Sequence, residues 1–448
     1  MSTSIRAAIF SHSDSVGGGP RAAYRIHSAL REAGIHSTMY VNLAALGDWT
    51  VKGPATTLAK LQAKLYSGLG GVLGRLIKTN RATHHSFACL PTSWASKINT
   101  SNTDVVHLHW VNGEMLSIAD LGKIRKPIVW TLHDMWAFSG AEHYQNDEHD
   151  ARWRQGYFKR NRTSGESGFD WNRWVWQRKQ KHWQALANKR IHIVTPSRWL
   201  TQCAAESALM KNWQVHVVPN PLNTDIWQPA DKSTARALLH LPQAKPLLLF
   251  GAIGGSVDPR KGFDLLQAAL VHLRGKVYGL ELIIFGELAP KEPIDLGFPV
   301  HYMGQVHDDV TLRLLYSAAD VMVVPSRQEA FGQTASEALA CGTPVAAFDA
   351  TGLKDVLEHQ VSGYLAKPFE ASDLATGIEW LFNQLSQSDA LNLAARQRAL
   401  ELFSYPAVAR QYAAIYASAM QDFGIMGMYR NLLLDNNVSG DDSSNQCI

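Results

Sequence analysis

Two carboxylates, Glu329 and Glu337, stand eight residues apart around the Phe331–Gly332 pair in the stretch EAFGQTASEALACGTPVAAFDATG (329–352), directly after the apolar run VMVVPS. Ala335, Ala338 and Leu339 keep an i, i+3, i+4 spacing, so TASEALACG reads as the start of a helix that Gly342 ends. The amides of Phe331, Gly332, Gln333 and Thr334 then lie at a helix N-terminus, where unpaired donors and the dipole favour an anion. Acids on both sides of an anion hole suit a phosphate set between two polyols, as in a nucleotide-sugar. A loop and helix carrying solvated charge is the other reading, and this stretch alone leaves both open.

A second stretch, GAIGGSVDPRKGFDLL (251–266), follows the apolar run PLLLF and ends in adjacent cations, Arg260 and Lys261. Glycines let a backbone approach a ligand closely, while a guanidinium and an ammonium group neutralise a diphosphate. A Gly-rich turn with surface charges explains the glycines, but leaves the paired cations to accident. His133 closes PIVWTLHD beside Asp134, and a histidine at a strand end is more often structural than catalytic. His107 and His109 share one side of VVHLHW, where they either line a cleft or are hydrogen-bonded in a core. The tryptophans of FDWNRWVWQRKQKHW (169–183) either stack on a sugar or pack a helix core, the second being the commoner outcome.

These residues need elements to hold them. Short apolar strands alternate with helical patterns, which is the signature of parallel α/β sheets. RAAIF (6–10), DVVHLHW (104–110), PIVWTLHD (127–134) and IHIVTPS (191–197) read as strands. The loop SHSDSVGGGP leads into a helix with Ala22, Ile26, Ala29, Leu30 and Ala33 on one face. The Pro-rich VHVVPNPLN places a domain boundary near Asn220. The pattern then restarts with PLLLFG (246–251), LELIIFG (280–286), PVHYMG (299–304), DVMVVPS (320–326) and PVAAFD (344–349). The expected class is therefore α/β, with two Rossmann-like domains facing a cleft and ligands bound beyond the strands' carboxyl ends. The expected division is 1–220, 221–403, a helix at 404–425 and a polar tail at 426–448 that is expected to be disordered.

Composition narrows the classes. The 448 residues are 46% apolar, enough for large cores, and carry a formal charge of +4. The pI near 8.7 comes without the clustered basic and aromatic residues of a nucleic-acid module, so no nucleic-acid partner is expected. Cys89, Cys203, Cys341 and Cys447 form no C-x-x-C pair, which argues against a zinc ribbon or disulfide framework and for a reducing compartment. The N-terminal apolar run is too short for a signal peptide, and no run is long enough to span a bilayer. A cytoplasmic protein is expected.

With these residues in place, the chain resembles a family 4 glycosyltransferase of the GT-B fold, retaining and of the group 1 type. RKGFDLL, PSRQEAFGQTASEALACGTPVAAFDATG and SGYLAKP match the donor-binding half of that family; GGGP, VVHLHW and VWTLHDMW match the acceptor half. The likeness covers about residues 5–420. It implies metal-independent transfer from a nucleotide-sugar, a substrate rather than a cofactor. It also implies that Lys261 with a nearby arginine holds the diphosphate, that Glu329 contacts the sugar hydroxyls and Glu337 the ribose, and that His133 lies near the reacting carbon. Lys261, Glu329 and His133 are thus the catalytic candidates. Gly18, Gly19, Arg260, Phe331, Gly332, Gln333, Thr334 and Glu337 are the substrate-binding ones. The C-terminal helix is implied to cross back onto the first domain. Two departures stand out. Many relatives carry an arginine where this chain has Ala252, leaving Arg260 to supply that charge, and the segment after HDMW lacks the cysteines of some relatives.

The expected partners are a UDP- or GDP-sugar donor and a glycan or lipid-linked acceptor, in the assembly of a bacterial surface polysaccharide. Between Trp49 and Thr103 there is no acid and seven Lys or Arg. Within it Leu58, Leu61, Leu65, Leu69, Val72 and Leu76 share a helical face, with Lys60, Lys64, Arg75 and Lys78 mostly off it. Such a basic amphipathic helix (57–78) can lie on an anionic membrane or against a core, and Gly68, Gly70 and Gly71 weaken its continuity. A nucleotide-sugar enzyme of another class, such as an epimerase, and a catalytically inactive scaffold are the alternatives.

Overall fold

The computed structural model describes residues 5–77, 83–186, 191–251, 254–290 and 294–424. Ala252, Lys78 and the tail from 425 onward lie outside the described residues. Among the described residues, thirteen parallel strands form two sheets. The first holds β1 (Arg6–Ser13), β2 (His36–Leu43), β3 (Val51–Lys52), β4 (Val105–Leu108), β5 (Ile128–Thr131), β6 (Ile191–Thr195) and β7 (Gln214–Val217) in the order β3-β2-β1-β4-β5-β6-β7. The second holds β8 (Leu247–Gly251), β9 (Glu281–Phe285), β10 (Val300–Tyr302), β11 (Val321–Val324), β12 (Val345–Phe348) and β13 (Gly363–Ala366) in the order β10-β9-β8-β11-β12-β13. In each, the first strand lies inside the sheet and the strand order reverses beside it, between β1 and β4 and between β8 and β11. Crevices open at such switch points.

The central strands β4, β5, β6, β8, β11 and β12 are buried along their whole length, as expected of strands covered on both faces by helices. That is why apolar residues dominate them. β2 is different: Ser37, Met39 and Val41 point inward while their neighbours are partly open. This period-2 signal was present in HSTMYVNL and was not among the expected strands.

The helix Gly18–Glu32 buries Ala22, Ile26, Ala29 and Leu30, while Ala33, expected on that face, is exposed and caps the end. Gly34 follows at φ 81°. Ser197 caps the helix Arg198–Glu206 by accepting from the Leu200 amide at 3.2 Å. The long helix Tyr405–Asp422 crosses back onto the first sheet, where Val408, Tyr412, Ile415 and Tyr416 join Ile9, Ile26, Val105 and Val129 in one core. Tyr416 hydrogen-bonds His107 at 2.7 Å, so that histidine is a core residue and does not line the cleft.

The helix Thr57–Gly74 runs unbroken through Gly68, Gly70 and Gly71, contrary to the weakening expected of them. Its end is supported by Leu73, which packs on the first domain's core. No residue of the helix is buried, and Leu58, Leu61 and Leu65 are 76%, 62% and 58% exposed. The helix Trp171–Trp183 buries Val175, Trp176 and Trp183, so the tryptophan run packs a helix core. No described helix is long and apolar enough to cross a membrane.

Candidate active site

One cavity of about 460 Å³ opens between the two sheets, and all eleven candidate residues line it: Gly18, Gly19, His133, Arg260, Lys261, Glu329, Phe331, Gly332, Gln333, Thr334 and Glu337. Each comes from a loop or helix start beyond the carboxyl end of a strand. Gly18 and Gly19 follow β1, His133 follows β5, Arg260 and Lys261 follow β8, and the Glu329–Glu337 segment follows β11.

Gly332 caps the helix Gln333–Ala340 in the left-handed region at φ 102°, with no side chain occupying the first-turn amides. Those donors therefore face the cavity uncapped, as an anion site requires. Lys261 reaches the same region because its turn is pressed onto the end of β11. Gly262 sits at φ +68°, and a Cβ there would lie 1.9 Å from the Pro325 carbonyl oxygen. Lys261 Nζ is 2.6 Å from Glu329 Oε1, which also accepts from Ser326 Oγ at 3.0 Å. Arg260 is held by Asp258 at 2.6 Å and stacks 4.0 Å above the Tyr144 ring of the first domain. Burial works against its charge, yet Tyr144, Asp258 and Glu329 outweigh that and keep its pKa above the ordinary guanidinium value.

Glu337 is buried, and both its oxygens are engaged. Tyr316 donates to Oε2 at 2.9 Å, and Arg25 lies 2.8 Å from Oε1. Arg25 comes from the opposite domain and was not among the expected site residues. It carried one sequence signal: a charge at position 25 falls on the apolar stripe of Ala22, Ile26 and Ala29. A charge so placed needs a partner.

His133 hydrogen-bonds His109 at 3.0 Å through Nε2, one ring donating and the other accepting. Its sequence neighbour Asp134 does not serve it; that carboxylate accepts from His143 at 2.6 Å and from the Trp110 indole at 3.1 Å. Consecutive residues past a strand end point in different directions, so the adjacent carboxylate finds other hydrogen-bond partners. Burial lowers His133 to about 4, against the opposing pull of Asp134. The ring is thus neutral near pH 7. A Cβ at Gly19 would stand 3.2 Å from that of His133, so the ring would have to give by a few tenths of an ångström to admit one. Among the described residues, no three or more His, Cys, Asp or Glu are grouped to hold a metal.

Two Rossmann-like domains facing each other across a cleft define the GT-B fold. Residues 16–226 match Glycosyltransferase Family 4 and residues 236–398 match Glycosyl transferases group 1. The chain belongs to this glycosyltransferase family. A D-inositol 3-phosphate glycosyltransferase from Segniliparus rotundus is 32% identical over 219 residues, 46% of this chain and 48% of that one. The chain thus spans about half the length of the curated relatives it matches. Among solved structures, sucrose-phosphate synthase from Thermosynechococcus elongatus is similar at a TM-score of 0.62 with 20% identity, covering 92% of this chain and 98% of that one. Anabaena HepE, solved with UDP and glucose, is similar at 0.59 with 17% identity, covering 92% and 100%. These two likenesses speak for the fold.

Proposed function

We propose that this protein is a retaining, metal-independent glycosyltransferase that moves a sugar from a UDP- or GDP-sugar to a glycan or lipid-linked acceptor. The observation that carries the reading is convergence. Lys261, Arg260 and an uncapped helix N-terminus reach one cavity, which Glu329 and Glu337 also line. That HepE was solved with UDP and glucose agrees with such a donor. In this reading residues 1–220 hold the acceptor, 221–403 hold the donor, and 404–425 tie the two.

The transition state is oxocarbenium-like. The bond from the anomeric carbon to the diphosphate oxygen breaks as the bond to the acceptor oxygen forms on the same face, and the leaving phosphate takes the acceptor's proton. Lys261, Arg260 and the Phe331–Thr334 amides are placed in advance of the negative charge that grows on that phosphate. His133, neutral and oriented by His109, serves as a hydrogen-bonding group near the anomeric carbon.

The exposed leucine row of the Thr57–Gly74 helix, with Lys60, Lys64 and Arg75 exposed beside it, fits docking on an anionic membrane face. A lipid-linked acceptor in bacterial surface-polysaccharide assembly would be met there, with the protein on the cytoplasmic side. The deciding experiment is a thermal-shift panel of UDP-, GDP- and ADP-sugars, followed by a search for sugar on an added acceptor. Binding raises the melting temperature. No shift with any donor, or an isomerised sugar left on its nucleotide, removes the proposal.

A further inference from the structure

The best-buried charge pair in the cleft joins residues from opposite domains. Arg25 is 5% exposed and Glu337 3%, and they lie 2.8 Å apart. Arg25 also reaches Gln333 Oε1 at 3.3 Å, lies 3.8 Å from Asp309 and stacks 5.1 Å over Trp227, all in the second domain. Close by, Gln333 donates to the Gly18 carbonyl at 2.7 Å. Arg25 is thus the first domain's principal grip on the start of the helix that carries Glu337.

A carboxylate has about four lone-pair sites. Tyr316 hydrogen-bonds one oxygen of Glu337 and Arg25 forms an ion pair with the other, while the residue still lines the cavity. The carboxylate is held from both sides, with acceptor capacity left for hydroxyl donors. Burial and then the Glu337 charge keep the Tyr316 phenol well above its ordinary pKa, so it stays a donor. Release of Arg25 would let the carboxylate swing about its last torsions with one anchor instead of two.

We propose that Arg25, supplied by the acceptor-side domain, is a positioning residue for nucleotide recognition: it holds the Glu337 carboxylate where it accepts from the ribose hydroxyls. Discrimination for ribose then depends on the two domains meeting, and donor recognition is coupled to closure. The inference rests on the proposed nucleotide-sugar reading.

The test is calorimetric titration of UDP and 2′-deoxy-UDP, with GDP and its deoxy counterpart alongside, into wild type, Arg25→Ala, Arg25→Lys, Tyr316→Phe and Glu337→Gln. Wild type should prefer the ribonucleotide by about tenfold, the value of one good charge-assisted hydrogen bond. Arg25→Ala and Tyr316→Phe, changed in different domains, should both reduce that preference to about twofold, as should Glu337→Gln. Arg25→Lys should recover part of it, since lysine keeps the charge without the planar fork. A merely structural arginine would weaken both nucleotides equally and leave the ratio intact. If Arg25→Ala does not fold, Tyr316→Phe and Arg25→Lys carry the same ratio test. Full ribose preference in the folded variants overturns the inference while the site reading stands. A wild-type protein that binds neither nucleotide overturns the site reading and the inference with it.

Discussion

Lys261 Nζ lies 2.6 Å from Glu329 Oε1, so the cation proposed for the diphosphate and the acid proposed for the sugar are one ion pair. A full donor must engage both, whereas UDP, which lacks the sugar, meets only the cation. Lys261→Ala should weaken UDP binding about tenfold or more and also lower turnover, because a diphosphate contact acts in the ground state and strengthens as leaving-group charge develops. Glu329→Ala should leave UDP affinity within about twofold and mainly lower turnover. The double variant should lose less than the sum of the two, as expected for residues in contact. Calorimetry beside turnover assays gives the cycle; full activity in both single variants sinks the assignment.

His133 pairs with His109 and is lowered by burial to about 4. The rate profile between pH 5.5 and 8.5 should therefore carry no inflection from this ring. His133→Asn should reduce turnover about tenfold, one hydrogen bond's worth, without changing the profile's shape. An inflection near pH 6.5 in the wild type that disappears in the variant would show a ring that titrates during catalysis.

Acid should destabilise the fold earlier than carboxylates alone predict. Burial lowers His27 and His133 to about 4, whereas the unfolded chain takes up protons at these rings from about pH 6.5. Stability is complete above that value and is lost as pH falls from 6.5 towards 4. Each ring contributes on the order of 1–2 kcal/mol by pH 5. Melting curves from pH 8 to 5 should show a falling transition temperature, and a flat series would contradict it.

Gly262 permits the contact that aims Lys261. In Gly262→Ala the new methyl meets the Pro325 carbonyl at φ +68°. Stability should drop by about 2 kcal/mol or more, with UDP affinity reduced as in Lys261→Ala. Urea melts and calorimetry check both, and unchanged values in each would refute the close approach.

The leucine row on the Thr57–Gly74 helix should bind anionic vesicles at low salt. Leu61→Ser with Leu65→Ser, and separately Lys60→Glu, Lys64→Glu and Arg75→Glu together, should each reduce co-sedimentation. The charge set should also lose its salt dependence, since lysines near such a surface act within a Debye length. Equal sedimentation of all proteins would remove the membrane reading.

The sequence by itself determined the two parallel sheets and the strand-end positions of the candidate residues. Unbroken apolar runs such as VMVVP and LLLF can be satisfied only between two helical layers, and the glycines and cations after them had to fall at the carboxyl edge. The helix N-terminus at Gly332 was legible too, because a turn residue preceded a 3.6-residue apolar period. Local patterns report which face of an element is buried, but not what meets that face. Only the tertiary structure decided that Arg25 meets Glu337 across the cleft, that His133 turns to His109 while Asp134 turns to His143, and that the leucine row of 58–76 stays uncovered. Those pairings join residues from separate strands and domains. They are set by how the sheets and helices stack, which no single window of sequence contains.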